Sequence, residues 1–226
     1  MNPSELPGLV AEYARRSVAQ GLNQGASGNI SARLGDAFFI TPSAREMSGL
    51  TARDIVPLPV RVAPHGETNG PFLPTPAPED ALKPSSEWRF HRDIYAAFPE
   101  ARAIVHAHSP FAVALACLRR DIPPFHYMVA MAGGTDIRCA RYATFGTQAL
   151  SVAVLEALQG RRACLMANHG LLAWGSDLAG ALHLALEVEA LAGQYLRCLQ
   201  VGQPVLLEDR EMAEVLEKFK DYGRKR

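Results

Sequence analysis

The sequence has no excess of charge: 23 lysines and arginines stand against 23 aspartates and glutamates, and the pI is near 7.1. A protein that tracks a phosphate backbone needs a basic footprint, so nucleic acid is not an expected partner. No apolar run reaches the roughly 18 residues that cross a bilayer, so no membrane partner is expected either. The opening M-N-P-S-E-L-P-G-L has no basic stretch followed by an apolar one, which argues against a secretory leader and for the cytoplasm. None of the four cysteines, Cys117, Cys139, Cys164 and Cys198, belongs to a C-x-x-C pair. They read as buried, reduced thiols rather than a disulfide framework. Neither G-x-x-x-x-G-K-[ST] nor G-x-G-x-x-G occurs, so no nucleotide-binding motif is present. There is no internal repeat.

What is present is an ordinary globular composition of 226 residues, 48% hydrophobic and 20% charged. That length suits one large domain, residues 1–226. Helical spacing runs over 4–20, and residues 29–41 read as two strands around a Gly35-Asp36 turn. The stretch 57–84 holds eight of the 16 prolines and reads as a loop insertion. A helix is expected over about 85–98, stopped by Pro99, then a strand over 101–108 and a helix over 110–120. Short strands are expected near 126–131 and 137–142, a helix over 147–159, strands over 163–168 and 171–174, and helices over 177–200 and 209–222. Strands joined by short turns among helices predict an α/β fold: a single three-layer domain with a central, mostly antiparallel mixed sheet flanked by helices.

The run A-I-V-H-A-H places His106 and His108 two residues apart at the end of an apolar strand. Alternate strand residues face the same side, so both imidazoles can meet at one point. Catalytic zinc commonly takes three protein ligands and keeps one position open. His169, in a tight N-H-G turn after another apolar strand, is the third candidate. The competing reading is two half-buried histidines on a sheet edge. His65, His91, His126 and His183 remain as spares, with His183 read as structural and His65 as exposed.

Lys83-Pro84-Ser85-Ser86-Glu87 opens a helix, where free N–H groups and serine hydroxyls suit an anion. The same residues also read as a plain helix cap with a favourable first-turn acid. Glu87 becomes a proton carrier only if it faces the metal.

Taken together, several segments carry a resemblance from about Leu22 to Tyr222. They are G-L-N-Q-G-A-S-G-N-I-S, P-S-S-E-W-R-F-H, I-V-H-A-H, I-P-P-F-H-Y-M-V-A-M-A-G-G, C-A-R-Y-A-T-F-G-T, N-H-G-L and E-K-F-K-D-Y-G. The chain resembles the class II aldolase/adducin superfamily, on the side of its sugar-phosphate aldolases. The resemblance implies one Zn2+ per subunit on His106, His108 and His169, with Glu87 alongside as the proton shuttle. It implies phosphate contacts from Asn29, Ser43, Ala44, Ser85 and Ser86, and a pocket wall at Phe145. Tyr127, reaching in from a neighbouring subunit, would donate a proton to the aldehyde oxygen, and Tyr222 would close over the site. A homotetramer is implied, as is a small phosphorylated sugar as substrate: a ketose 1-phosphate cleaved to dihydroxyacetone phosphate and an aldehyde.

Three departures from the family pattern bear on this. A Thr-Gly pair of the phosphate loop is Ser43-Ala44 here, the proline-rich stretch is long, and Ser109-Pro110-Phe111 follows the histidine pair. A dehydratase, epimerase or decarboxylase using the same zinc site is the alternative within enzymes. A non-enzymatic adducin-like interaction module is the alternative outside them.

Overall fold

The computed structural model describes residues 4–60 and 82–221. Most of the proline-rich insertion and Tyr222 lie outside the described residues. In chain order the elements are α1 (Leu6–Ala19), β1 (Asn29–Leu34), β2 (Ala37–Ile40), β3 (Val56–Pro59), α2 (Trp88–Ala97), β4 (Ala103–Ala107), α3 (Pro110–Cys117), β5 (Cys139–Ala140), α4 (Gln148–Ala157), β6 (Ala163–Met166), β7 (Gly170–Gly175), α5 (Leu178–Val201) and α6 (Asp209–Asp221).

The seven strands form one sheet in the order β3-β2-β1-β4-β7-β6-β5. Every pairing is antiparallel except β5 with β6. The mixed, mostly antiparallel sheet is therefore as expected. Helices α1, α3 and α5 cover one face, and α2 with α4 covers the other. β4 sits at the centre, so its A-I-V-H-A run is buried on both sides. Ala103, Val105 and Ala107 face the α1/α5 core, whereas Ile104 joins the α2/α4 core. By the two-residue alternation of a strand, His106 falls on the α2 side, where Phe90 meets its ring edge-on at 5.6 Å.

Two expectations about local structure fail. Residues 126–131 are not a strand: Tyr127–Ala132 is a 3₁₀ helix. His126 Nδ1 accepts from Met128 N at its start, and Gly133, at φ +95°, ends it. The apolar run there imitates a strand, but a chain reversal at a left-handed glycine favours tight i→i+3 turns. Conversely, the supposed loop over 57–84 begins inside a strand. Pro57 and Pro59 of β3 oppose Phe39 and Ala37, at the sheet edge where a missing N–H is tolerated.

The cysteines are free, but only Cys164 is buried; Cys117 is exposed, and Cys139 and Cys198 are half-buried. His183 is exposed on α5 rather than packed within the fold.

Candidate metal centre and substrate cavity

His106 and His108 extend from the end of β4, and His169 lies in the three-residue turn between β6 and β7. That turn needs two special backbone positions. Asn168 sits at φ +55°. At Gly170 a Cβ would lie 2.3 Å from the Ala107 carbonyl oxygen, so only glycine lets β7 start this close to β4.

Glu87 occupies the position before α2, yet its side chain makes no capping hydrogen bond. The carboxylate turns inward instead. Oε2 lies 3.1 Å from His106 Nε2, and Oε1 lies 3.3 Å from His169 Nε2. The plain-cap reading of Glu87 therefore falls.

The ligating atoms of Glu87, His106, His108 and His169 all lie within 4.8 Å of one another. The three imidazole centroids are each 4.8 Å apart, with ring planes crossed at 67° to 78° like the blades of a propeller. His106 Nδ1 donates to the Leu171 carbonyl at 2.8 Å, which leaves the Nε2 lone pair aimed at the centre. His106 Nε2 and His108 Nε2 are 3.0 Å apart.

Burial holds His108 down to about 4 and His169 to about 3, with the neighbouring His106 adding to the effect. Both are therefore neutral, electron-pair donors at neutral pH. Burial alone would raise the Glu87 carboxyl. His106, His169 and the Asn29 amide outweigh it and hold the group at about 2.

A divalent cation fits these residues. Glu87 Oε1 is buried with no hydrogen-bond partner, an arrangement that costs free energy unless a cation takes it up. Three nitrogen donors and one carboxylate converge with their lone pairs inward, which is a ligand set and not a packing motif. The half-buried-histidine alternative does not account for the convergence.

Above this group opens a cavity of roughly 320 Å³. Asn29, Ser43, Ala44, Ser85, Ser86, Glu87, Phe145, His108 and His169 all line it. The two serine segments are zipped together by a Pro42–Pro84 bridge, with Ser43 N donating to Lys83 O at 2.9 Å and Ser85 N to Thr41 O at 3.1 Å. Arg89 Nη1 donates to the Gly146 carbonyl at 2.7 Å and holds the Phe145 loop over Ser86.

Ala44 sits at φ +55°, a conformation that costs an L-residue about 1 kcal/mol. Ala44→Gly should accordingly raise stability by roughly 0.5 kcal/mol, because glycine's greater unfolded-state freedom offsets part of the relief. A denaturant titration checks the sign.

Tyr127 is not in this cavity. It is half exposed and lines a separate groove with Met128, Val215 and Phe219. The sequence reading missed several contributors: Ser27, Gly28, Tyr142 and Asn168 also line the cavity, and His91 is wired to the site through Asn29. All four lining residues lie within segments that carry the family resemblance, but nothing in their spacing points to the metal.

The family model for the class II aldolase and adducin N-terminal domain matches residues 8–196. The chain belongs to that family. A 5-methylthioribulose-1-phosphate/5-deoxyribulose-1-phosphate aldolase of Rhodospirillum rubrum is 52% identical over 216 residues, covering 96% of this chain and 91% of that one. An L-fuculose phosphate aldolase of Escherichia coli (strain K12) is 47% identical over 224 residues, covering 99% and 98%. Among solved structures, an L-fuculose 1-phosphate aldolase superposes with a TM-score of 0.86 at 37% identity, covering 97% of this chain and 98% of that one. These relatives are named aldolases, which are lyases, and the interaction-module alternative is not favoured.

Proposed function

We propose that the protein is a zinc-dependent aldolase that splits a ketose 1-phosphate into dihydroxyacetone phosphate and an aldehyde. The observation that carries this reading is the convergence of three imidazole nitrogens and the Glu87 carboxylate on the floor of a cavity walled by serines. The aldolase names of relatives at 52% and 47% identity support it. His106, His108 and His169 would hold the cation, and three nitrogen donors suit zinc. A bound cation supplies Lewis-acid stabilisation for the charge that builds on the ketone oxygen as the carbon–carbon bond breaks.

The chain's own residues do the rest. Ser43, Ser85 and Ser86, with Asn29 and the backbone at Ala44, would receive the phosphate at the paired loop wall. Glu87 would carry the proton delivered to the carbon beside the ketone once the aldehyde has left. The aldehyde's own hydroxyl proton needs a second carrier. Tyr127 is turned away from its own cavity, so in this role it would serve a neighbouring copy in a homotetramer. Tyr222 is proposed as a further catalytic tyrosine. Tyr142, Ala143 and Phe145 offer an apolar wall at the open side, which favours a 5-deoxy or 5-methylthio tail over a hydroxyl-rich one. L-Fuculose 1-phosphate is the second substrate to consider, on the strength of the Escherichia coli relative.

The whole chain would act as one domain. No helix among the described residues is long and apolar enough to cross a membrane. We place the enzyme in the cytoplasm, in keeping with its free cysteines.

The test is a coupled assay for dihydroxyacetone phosphate with the zinc-loaded protein and 5-methylthioribulose, 5-deoxyribulose or L-fuculose 1-phosphate. Release from at least one of them is expected. Turnover to any other product, or none, would refute the assignment.

A further inference from the structure

A buried polar chain runs from the metal centre into the core between β1 and α2. Glu87, His91 and Tyr95 are spaced four residues apart, so they share one face of α2 and the turn before it. Asn29 and Ser31 alternate along β1 and face that side. All five are buried, with His91 and Ser31 wholly inaccessible. Asn29 Nδ2 lies 3.0 Å from Glu87 Oε2. Asn29 Oδ1 contacts His91 Nε2. His91 Nδ1 is 2.7 Å from Ser31 Oγ, which is 2.7 Å from Tyr95 Oη.

The direction of every bond follows from one end. A carboxylate only accepts, so the Asn29 amide nitrogen must face Glu87 and its oxygen must face His91. His91 Nε2 must then carry a proton. The ring is neutral in so buried a place, so Nδ1 accepts, Ser31 donates to it, and Tyr95 donates to Ser31. Phe90 stacks on the His91 ring at 4.7 Å and 23°, which fixes its plane. A helix that needed only to pack against β1 would do as well with apolar side chains, since buried polar networks are costly unless every member is paired.

We infer that His91 is a positioning residue for Glu87: its Nε2–H holds the Asn29 carboxamide in the orientation that turns Nδ2 toward the carboxylate. The inference rests on the aldolase reading for its kinetic consequence but not for its geometry. Without His91, the Asn29 amide is free to turn, and Glu87 loses the one neutral donor that fixes Oε2. Glu87 then points toward the substrate carbon for a smaller fraction of the time, while the three histidine ligands keep their own supports.

Two measurements test this. The ring nitrogens of His91, assigned by ¹⁵N-histidine labelling against His91→Gln, should report a proton on Nε2 and none on Nδ1. Solvent deuterium exchange into dihydroxyacetone phosphate follows the Glu87 proton step apart from carbon–carbon cleavage. In zinc-loaded His91→Phe, exchange and kcat should fall by on the order of tenfold, with metal content unchanged. His91→Gln, whose amide can still donate to Asn29 Oδ1, should recover most of the loss. If His91→Phe does not fold, Ser31→Ala replaces it: removing the donor to Nδ1 should slow exchange severalfold. A proton on His91 Nδ1, or wild-type exchange in whichever of these two variants is measured, overturns the inference. A wild-type protein with the Nε2–H tautomer and bound metal but no deuterium exchange supports the wiring and refutes the substrate reading instead.

Discussion

Glu87→Gln should bind its cation and still lose about 10³-fold in turnover, within the range by which a positioned acid or base speeds a reaction. The two halves of this result come from different contacts. The three histidines are supported independently of Glu87: His106 through the Leu171 carbonyl, His108 through its backbone N–H to Asn23 Oδ1 at 3.1 Å, and His169 through the Asn168–Gly170 turn. Glutamine keeps the size of the side chain, and its oxygen can still accept from Asn29. What it cannot do is take and return a proton. Metal content measured beside kcat separates the roles; full activity in the variant would remove Glu87 from the chemistry. Loss of metal together with activity would make it chiefly a ligand.

The second large effect is expected at Gly28, where nothing titrates. The residue sits at φ +74°, and a Cβ there would lie 2.2 Å from Asn23 Oδ1 and 2.6 Å from the His106 carbonyl oxygen. Both neighbours matter to the metal site. Asn23 holds the backbone of His108, and Asn23 Nδ2 is itself tied to Ser17 Oγ at 3.3 Å, so it has little room to retreat. Gly28→Ala should therefore combine a left-handed alanine with overpacking, at a cost of about 2–4 kcal/mol. It should also weaken metal binding. Chemical denaturation and a metal titration on the same sample read the two effects. A change below about 0.5 kcal/mol would mean the segment from Gly25 to Gly28 yields more easily than its contacts imply.

The parts of the site that were legible in the sequence are those set by strand geometry. His106 and His108 announce themselves because alternation on a strand sends both to one side, and His169 follows an apolar strand of its own. Glu87 was not legible from spacing, since an acid after two serines is what any helix start would carry; only the family resemblance pointed to it. The structure supplies the reason it differs: the register Asn29↔His106 brings an amide donor beside the carboxylate and turns it inward. His91 was invisible for the same cause. Its partners lie on β1, some 60 residues away in sequence, and no local pattern distinguishes it from a histidine on any helix face. β3 was hidden because Pro57 and Pro59 suppress the strand signal while leaving Val56 and Leu58 to pack inward. The run after His126 was misread because apolar composition does not reveal a reversal at Gly133 that tightens the backbone into a 3₁₀ turn. In each failure a contact distant in sequence, or a single special backbone angle, outweighs the local preference.

The proposed chemistry depends on a cation at the meeting point of three imidazoles. Crystals of zinc-loaded protein, grown without chelator and measured on both sides of the zinc absorption edge, locate it directly. One anomalous peak per chain is predicted, within about 2.0–2.1 Å of Nε2 of His106, His108 and His169. A peak elsewhere, or none while the rings keep the positions described above, would contradict it.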